Sequence, residues 1–169
     1  MLPLDSPDWK SFDTYAGAGE ELPSSFISWR GAIGTSDEEG EWGRLRDQFL
    51  CQHTIKDSAI AIVPHICQSL AATPAARQPN YAIDLGQIHM AWRRSPITTV
   101  RADLAASYEA AIVSIRPWAC ACLARSLGRM EFRYVLSACS ALCDHTGLGR
   151  YLFSLDHSPK EFPDLEGYV

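Results

Sequence analysis

Leu50-Cys51-Gln52-His53-Thr54-Ile55-Lys56-Asp57-Ser58-Ala59-Ile60-Ala61-Ile62-Val63-Pro64-His65-Ile66 is the stretch whose spacing decides the fold class. Ala59, Ile62 or Val63, Ile66 and Leu70 recur every three or four residues, which places them on one face of a helix. Asp57 or Ser58 is the expected cap, because a side-chain oxygen there accepts from the unpaired N–H groups of the first turn. Upstream, Trp42, Leu45 and Phe49 form a second stripe of the same period. Only Gln52-His53-Thr54-Ile55 separates the two, a connection short enough to make the helices antiparallel neighbours. Pro64 lies mid-helix, where it removes the backbone bond to Ile60. The stretch predicts a kinked helical hairpin.

The same spacing extends outward. Residues 8–15 predict a short helix with Trp9, Phe12 and Tyr15 inward, ended by Ala16-Gly17-Ala18-Gly19. Leu22 to Trp29 predicts a second helix, with Pro23 in its first turn and Phe26, Ile27 and Trp29 apolar, closed by Gly31 and Gly34. Ser36-Asp37-Glu38-Glu39 supplies a cap and then negative charge for a third, running to about Cys51. Beyond the break at Thr73-Pro74, Tyr81, Leu85, Ile88 and Trp92 make the next stripe, which ends at Arg93-Arg94-Ser95-Pro96. Leu104, Tyr108, Ile112 and Ile115 make another between Val100 and Leu127, with a kink or break expected at Arg116-Pro117 and a cap at Gly128. Phe132, Val135 or Leu136, Cys139 and Leu142 or Cys143 line a helix that stops at Thr146-Gly147. Leu148, Leu152 and Leu155 suggest a last short one. No segment shows sustained alternation or a hairpin turn signal. The reading is an all-α fold of about seven or eight helices in antiparallel hairpins, a HEAT-like short α-solenoid or else an irregular helical bundle. Residues 1–169 read as one domain with an acidic tail at 156–169.

Composition narrows the function classes. An apolar fraction of 47% with five Trp, six Tyr and six Phe excludes global disorder. No apolar run approaches ~20 residues, so no transmembrane span is expected. The first residues lack the basic-then-apolar order of a signal peptide. Cys51, Cys67, Cys139 and Cys143 fall on apolar faces and Cys120 and Cys122 flank an Ala, the pattern of reduced core cysteines and of a cytoplasmic protein. Residues 1–42 carry nine acids against two bases, residues 43–155 seven acids against twelve bases, and residues 156–169 four acids against one base. A pI near 5.5 argues against nucleic-acid binding.

The search for chemistry leaves few candidates. Cys139-Ser140-Ala141-Leu142-Cys143-Asp144-His145 sets two thiols four apart on one helical face with a histidine following, and Cys120-Ala121-Cys122 offers further thiolates to a tetrahedral ion. Against a metal, CxC inside a helix splays its thiols and no CxxC pair exists. Cys51/His53 and His65/Cys67 point apart on a helix, which disfavours a thiol nucleophile beside its base. Gly147-Leu148-Gly149-Arg150 reads as a helix C-cap, not a phosphate loop. No catalytic residue, metal or cofactor is expected.

A resemblance adds the rest. Tyr15-Ala16-Gly17-Ala18, Leu22-Pro23 opening a helix that ends near Trp29, and Trp42-Gly43-Arg44-Leu45 after a short acidic stretch are its first pieces. The turn Cys51-Gln52-His53-Thr54-Ile55 and Ala61-Ile62-Val63-Pro64-His65-Ile66 complete it. Together, from Tyr15 to about Leu85, they resemble a bacterial family of small HEAT-like helical proteins, although His53 stands where a small residue is expected. Some such proteins belong to toxin–immunity systems, which implies a non-enzymatic binding protein, an immunity protein that occludes a toxin or effector domain. Asp37, Glu38, Glu39 and Glu41 are then candidates for steering a basic partner, and Trp92, Arg93 and Arg94 for an aromatic/arginine contact. Their ordinary roles, a solvated helix start and a core Trp beside a cationic helix end, compete with both. The alternatives are a metal- or thiol-dependent enzyme built on Cys139, Cys143 and His145, and a scaffold for another host protein.

Overall fold

Residues 1–72, 79–95, 97 and 100–155 are described by the computed structural model, and among them the chain forms seven α-helices and two very short β-ribbons, an all-α fold. The expected break at Thr73-Pro74, Pro96 and the tail 156–169 lie outside the described residues. Met1–Ser69 with Ile97–Ala111 form one compact unit; the described residues of Leu70–Pro96 and Ile112–Val169 form another.

The first unit departs from expectation at its start. Pro7–Ser11 is a 3-10 turn capped by the Ser6 hydroxyl, which accepts from the Asp8 N–H at 3.2 Å. Asp13–Thr14 (β1) then pairs antiparallel with Gly17–Ala18 (β2), where Gly17 holds φ +125°, so the helix expected over 8–15 does not form. Trp9 and Phe12 are buried as expected, but Tyr15 is exposed and shares a 2.5 Å hydrogen bond with the Thr54 hydroxyl. A second 3-10 turn, Gly19–Glu21, leads into α1 (Leu22–Ala32), with Pro23 in its first turn and Phe26 and Trp29 buried; Ile27 faces outward. Gly31 lies inside α1 rather than closing it. Helix α2 (Glu38–Arg46) packs on α1 and is shorter than expected, ending before Phe49.

The connection that follows is a β-hairpin, not a plain helical turn. Leu50–Cys51 (β3) pairs with Thr54–Ile55 (β4), Leu50 opposite Ile55 and Cys51 opposite Thr54. Gln52 and His53 both take left-handed backbone, φ +45° and +64°, the sign pattern of a type I′ turn. Left-handed backbone costs a non-glycine residue about 1–2 kcal/mol. Thr54 Oγ1 offsets part of this by donating to the Cys51 carbonyl at 2.6 Å, and the Tyr15 N–H donates to the Gln48 carbonyl at 2.7 Å beside it. Sequence reading missed the hairpin because neither turn residue is Gly or Asn.

Helix α3 (Asp57–Ala71) continues through Pro64, which has no N–H to give the Ile60 carbonyl. Ala59, Ile62, Val63, Ile66 and Leu70 are all buried. One turn of α3 sets His65 into a line of aromatic rings. Its imidazole lies 6.4 Å from Trp9 and 5.6 Å from Phe26; Phe26 meets Trp29 at 5.7 Å, and Trp29 meets Trp42 at 5.1 Å. His65 Nε2 donates to the Leu2 carbonyl at 2.7 Å. The first half of α5 (Ala102–Ala121) supplies Leu104 and Tyr108 to the interior, and Arg101 just before it bridges Asp8 (3.0 Å) and Asp103 (2.9 Å).

In the second unit, α4 (Pro79–Arg94) buries the expected stripe of Tyr81, Leu85, Ile88 and Trp92. Helix α5 runs through Pro117 without breaking and buries Ile112 and Ile115 before a 3-10 turn, Cys122–Ala124. Gly128 is the N-cap of α6 (Arg129–Leu142), not the end of the preceding helix. Helix α6 stops at Cys143, and Thr146–Gly147, expected as its end, instead open α7 (Thr146–Ser154). Gly147–Arg150 is therefore helical and not a C-cap. Phe132 and Leu148 face outward, not into the core. Helix α6 packs on both α4 and α7 at points where only small residues fit. A Cβ on Gly86 would stand 2.5 Å from both Cα and Cβ of Ala138, and one on Gly149 would stand 2.9 Å from the Ser137 carbonyl.

Two measurements check this account. Gly86→Ala is expected to destabilise by about 2 kcal/mol or more through overpacking. Gly43→Ala, in a helix with nothing within 4 Å, is expected to stabilise by up to about 1 kcal/mol; urea unfolding of both variants gives the comparison. The second concerns His65, whose pKa burial holds below the usual imidazole value, although the Leu2 carbonyl opposes the shift. Its contribution to stability is present above about pH 6.5, the unfolded value, and is lost as pH falls from there toward the lower folded value. Unfolding measured between pH 7.5 and 5 is expected to show a decline in the wild type that His65→Gln flattens.

Candidate functional site

Of the four acids expected to steer a partner, the fold uses one internally. Glu38 is buried, and its Oε2 accepts from the Gly34 N–H at 2.7 Å, which fixes the turn from α1 into α2 where Gly34 holds φ +95°. The cap of α2 is Asp37 rather than Ser36, and no side chain closes it; the Asp37 N–H donates instead to Thr35 Oγ1 at 3.2 Å. Asp37 and Glu39 are exposed. Glu41 is partly buried and paired with Arg44 at 2.9 Å. The open acidic surface here therefore centres on Asp37 and Glu39.

Trp92, Arg93 and Arg94, in the second unit, separate by role. Trp92 is buried, Arg94 is exposed, and Arg93 is engaged by Asp144. Asp144 sits at the corner between α6 and α7 with φ +66°, left-handed backbone that aspartate tolerates better than most residues. Its Oδ1 accepts from Arg93 Nη2 at 3.0 Å and its Oδ2 from Arg116 Nη2 at 2.5 Å, while Arg116 Nε donates to the Leu142 carbonyl at 2.5 Å. His89, fully buried, places Nε2 3.4 Å from Arg93 Nε and 3.5 Å from Asp144 Oδ1. One carboxylate thus gathers two guanidinium groups and closes the chain reversal after α6. Burial alone would raise the Asp144 pKa, but the hydrogen bond and charge of Arg116, and then those of Arg93, hold it below the usual carboxylate range.

The thiols also differ from expectation. All six are unpaired with one another in disulfides, and Cys51 and Cys120 are exposed, so Cys51 is no core residue. Burial pushes Cys67 up to about 12. Cys139 is buried, donates to the Ala119 carbonyl at 3.4 Å, and is raised by burial and then by Cys120. Cys143 is raised by the same causes, with Arg116 opposing. The neighbour standing beside both Cys139 and Cys143 is Cys120 of α5; His145 is the N-cap position of α7. Among the described residues, no group of three or more His, Cys, Asp or Glu is arranged to hold a metal ion, and no helix is long and apolar enough to cross a membrane. Sequence reading had no signal for Asp144 with Arg116, since the pair joins separate parts of the chain.

Comparison with known proteins gives no match: no family model, no curated protein and no solved structure is similar to this chain.

The Asp144 corner makes a separable prediction. Asp144→Asn keeps a residue suited to left-handed backbone and removes the charge, with an expected loss of about 1 kcal/mol. Asp144→Ala adds a backbone cost of about 1 kcal/mol more. Because the folded pKa is depressed, the charge contribution is present above about pH 4 and fades as pH falls through the folded value. Chemical unfolding of wild type and Asp144→Asn at pH 7 and pH 3 is expected to show the gap narrowing at the lower pH.

Proposed function

We propose that this chain is a non-enzymatic protein-binding module that presents the acidic surface of its first unit to a basic partner. The observation that carries this reading is the partition of charge. The first unit holds thirteen acidic side chains against six basic ones, net −7, whereas the described residues of the second hold seven arginines against three acids, net +4. A concentrated field of one sign speeds encounter with an opposite surface and discourages partners of like charge. Asp37 and Glu39 are the exposed acids at the start of α2 that suit this contact. The resemblance to HEAT-like helical proteins supplies the narrower role of a cytoplasmic immunity protein that occludes a basic toxin or effector domain. A short solenoid suits that role because it offers a rigid face at low ordering cost. The enzyme reading built on Cys139, Cys143 and His145 has less support, since burial moves both thiols away from the thiolate a nucleophile needs.

The test is capture of the partner by the tagged chain in lysate of its own organism, followed by expression of that partner with and without the chain. A stoichiometric partner that is toxic alone and harmless in company is the expected result. Asp37→Lys with Glu39→Lys is expected to slow association about tenfold at low salt, with helicity retained. A partner harmless on its own removes the immunity role in favour of a scaffold. An association rate indifferent to both salt and charge reversal overturns the acidic face.

A further inference from the structure

Helices α6 and α7 run antiparallel. Gly149 of α7 packs against Ser137 and Ala141, and one turn later the Phe153 ring meets that of Tyr134 at 5.1 Å, so α7 ends beside the start of α6. Two features mark that start. Met130 and Phe132 are 45% and 43% exposed, large apolar side chains set close together in water. Arg125 in the connection leading into α6, Arg129 at its first position and Arg133 one turn on stand against Glu131 alone among residues 125–135. A cation in the first turn opposes the helix dipole, so an acidic neighbour stabilises Arg129. Arg133 lies over the Tyr134 ring at 4.9 Å.

The chain carries the complement in the sequence that follows α7. Residues 156–169 hold Asp156, Glu161, Asp164 and Glu166 against Lys160, with Phe162 and Leu165 set between the last three acids. We propose that the start of α6 is the docking site of this segment: Phe162 covers Met130 and Phe132, and the acids beside it pair with Arg125 and Arg129. Exposed ion pairs contribute little singly, so burial of the apolar anchor supplies the affinity and the charges set where it sits. Phe162 is seven residues past Leu155, a reach of about 23 Å when extended. Arg129 to Phe132 spans only about 5 Å of the α6 axis, so the tether is long enough. A partner tethered beside its site acts at an effective concentration of roughly millimolar, which a second copy in dilute solution does not reach. That difference favours the chain's own segment as the occupant. The site uses no residue of the acidic surface proposed for partner binding, so the two readings stand or fall separately.

The experiment uses the full-length chain with Phe162→p-benzoylphenylalanine, irradiated in dilute solution at low salt and mapped by peptide mass spectrometry. The excited benzophenone inserts into C–H bonds and favours methionine, which makes Met130 a ready acceptor. The expected result is a link to the peptide that holds Met130 and Phe132, in a product that remains monomeric on a denaturing gel. High salt, or Arg125→Glu with Arg129→Glu, is expected to lower the yield of that link about fivefold. A link between two chains gives the face to a second copy and overturns the proposal. A link confined to other segments, or no link at all, overturns it too. So does a yield indifferent to salt, because chance contact through the tether needs no charge. The map at low and high salt decides the matter even if the charge-reversed variant fails to fold.

Discussion

A neutral imidazole holds the first unit together. His65 meets aromatic rings from two other segments, Trp9 and Phe26, and its Nε2 donates to the Leu2 carbonyl near the chain start. A buried polar group needs such a partner, and a buried charge without a counter-ion is far more costly. The ring sits one residue past Pro64, in a turn of α3 where the proline has no N–H to give, and Ile60, Ile62, Val63 and Ile66 of the same helix are all buried. The aromatic line from Trp9 through Phe26 and Trp29 to Trp42 then ties the N-terminal turn, α1 and α2 to that one position.

The second unit is organised by closeness rather than by bulk. Gly86 lets α4 reach the Ala138 backbone, and Gly149 lets α7 reach Ser137 and Ala141, so α6 is gripped on two sides where side chains nearly vanish. Ser137 completes the contact by donating to the Gly149 carbonyl at 2.6 Å. Such packing leaves little freedom at the end of α6, and the Asp144 corner with its two arginines begins there.

The long helices were legible in the sequence because their apolar periods are unambiguous. Tyr81, Leu85, Ile88 and Trp92 are buried as a stripe, as are Leu104, Tyr108, Ile112 and Ile115. The misreadings fall where local chemistry was outvoted. Gln52 and His53 adopt left-handed backbone without the usual glycine, and Gly147 and Gly149 lie within α7 instead of capping the end of the helix before it. The acids at 37–41 were legible as a group, but not that Glu38 would turn inward to hold Gly34. Links between helices, such as Arg116 to Asp144, leave no trace in spacing at all.

The two units also answer acid differently. Every cationic side chain among the described residues of the second unit is arginine, and both described lysines, Lys10 and Lys56, belong to the first. Guanidinium keeps its proton at any pH a protein survives, whereas carboxylates surrender their charge near pH 4. Acidification therefore erases the negative character of the first unit, while the described part of the second, losing the charge of its three acids and keeping its seven arginines, grows more positive. A chain that is bipolar at neutral pH becomes cationic throughout, and its electrophoretic mobility reverses sign as the contrast between its halves disappears.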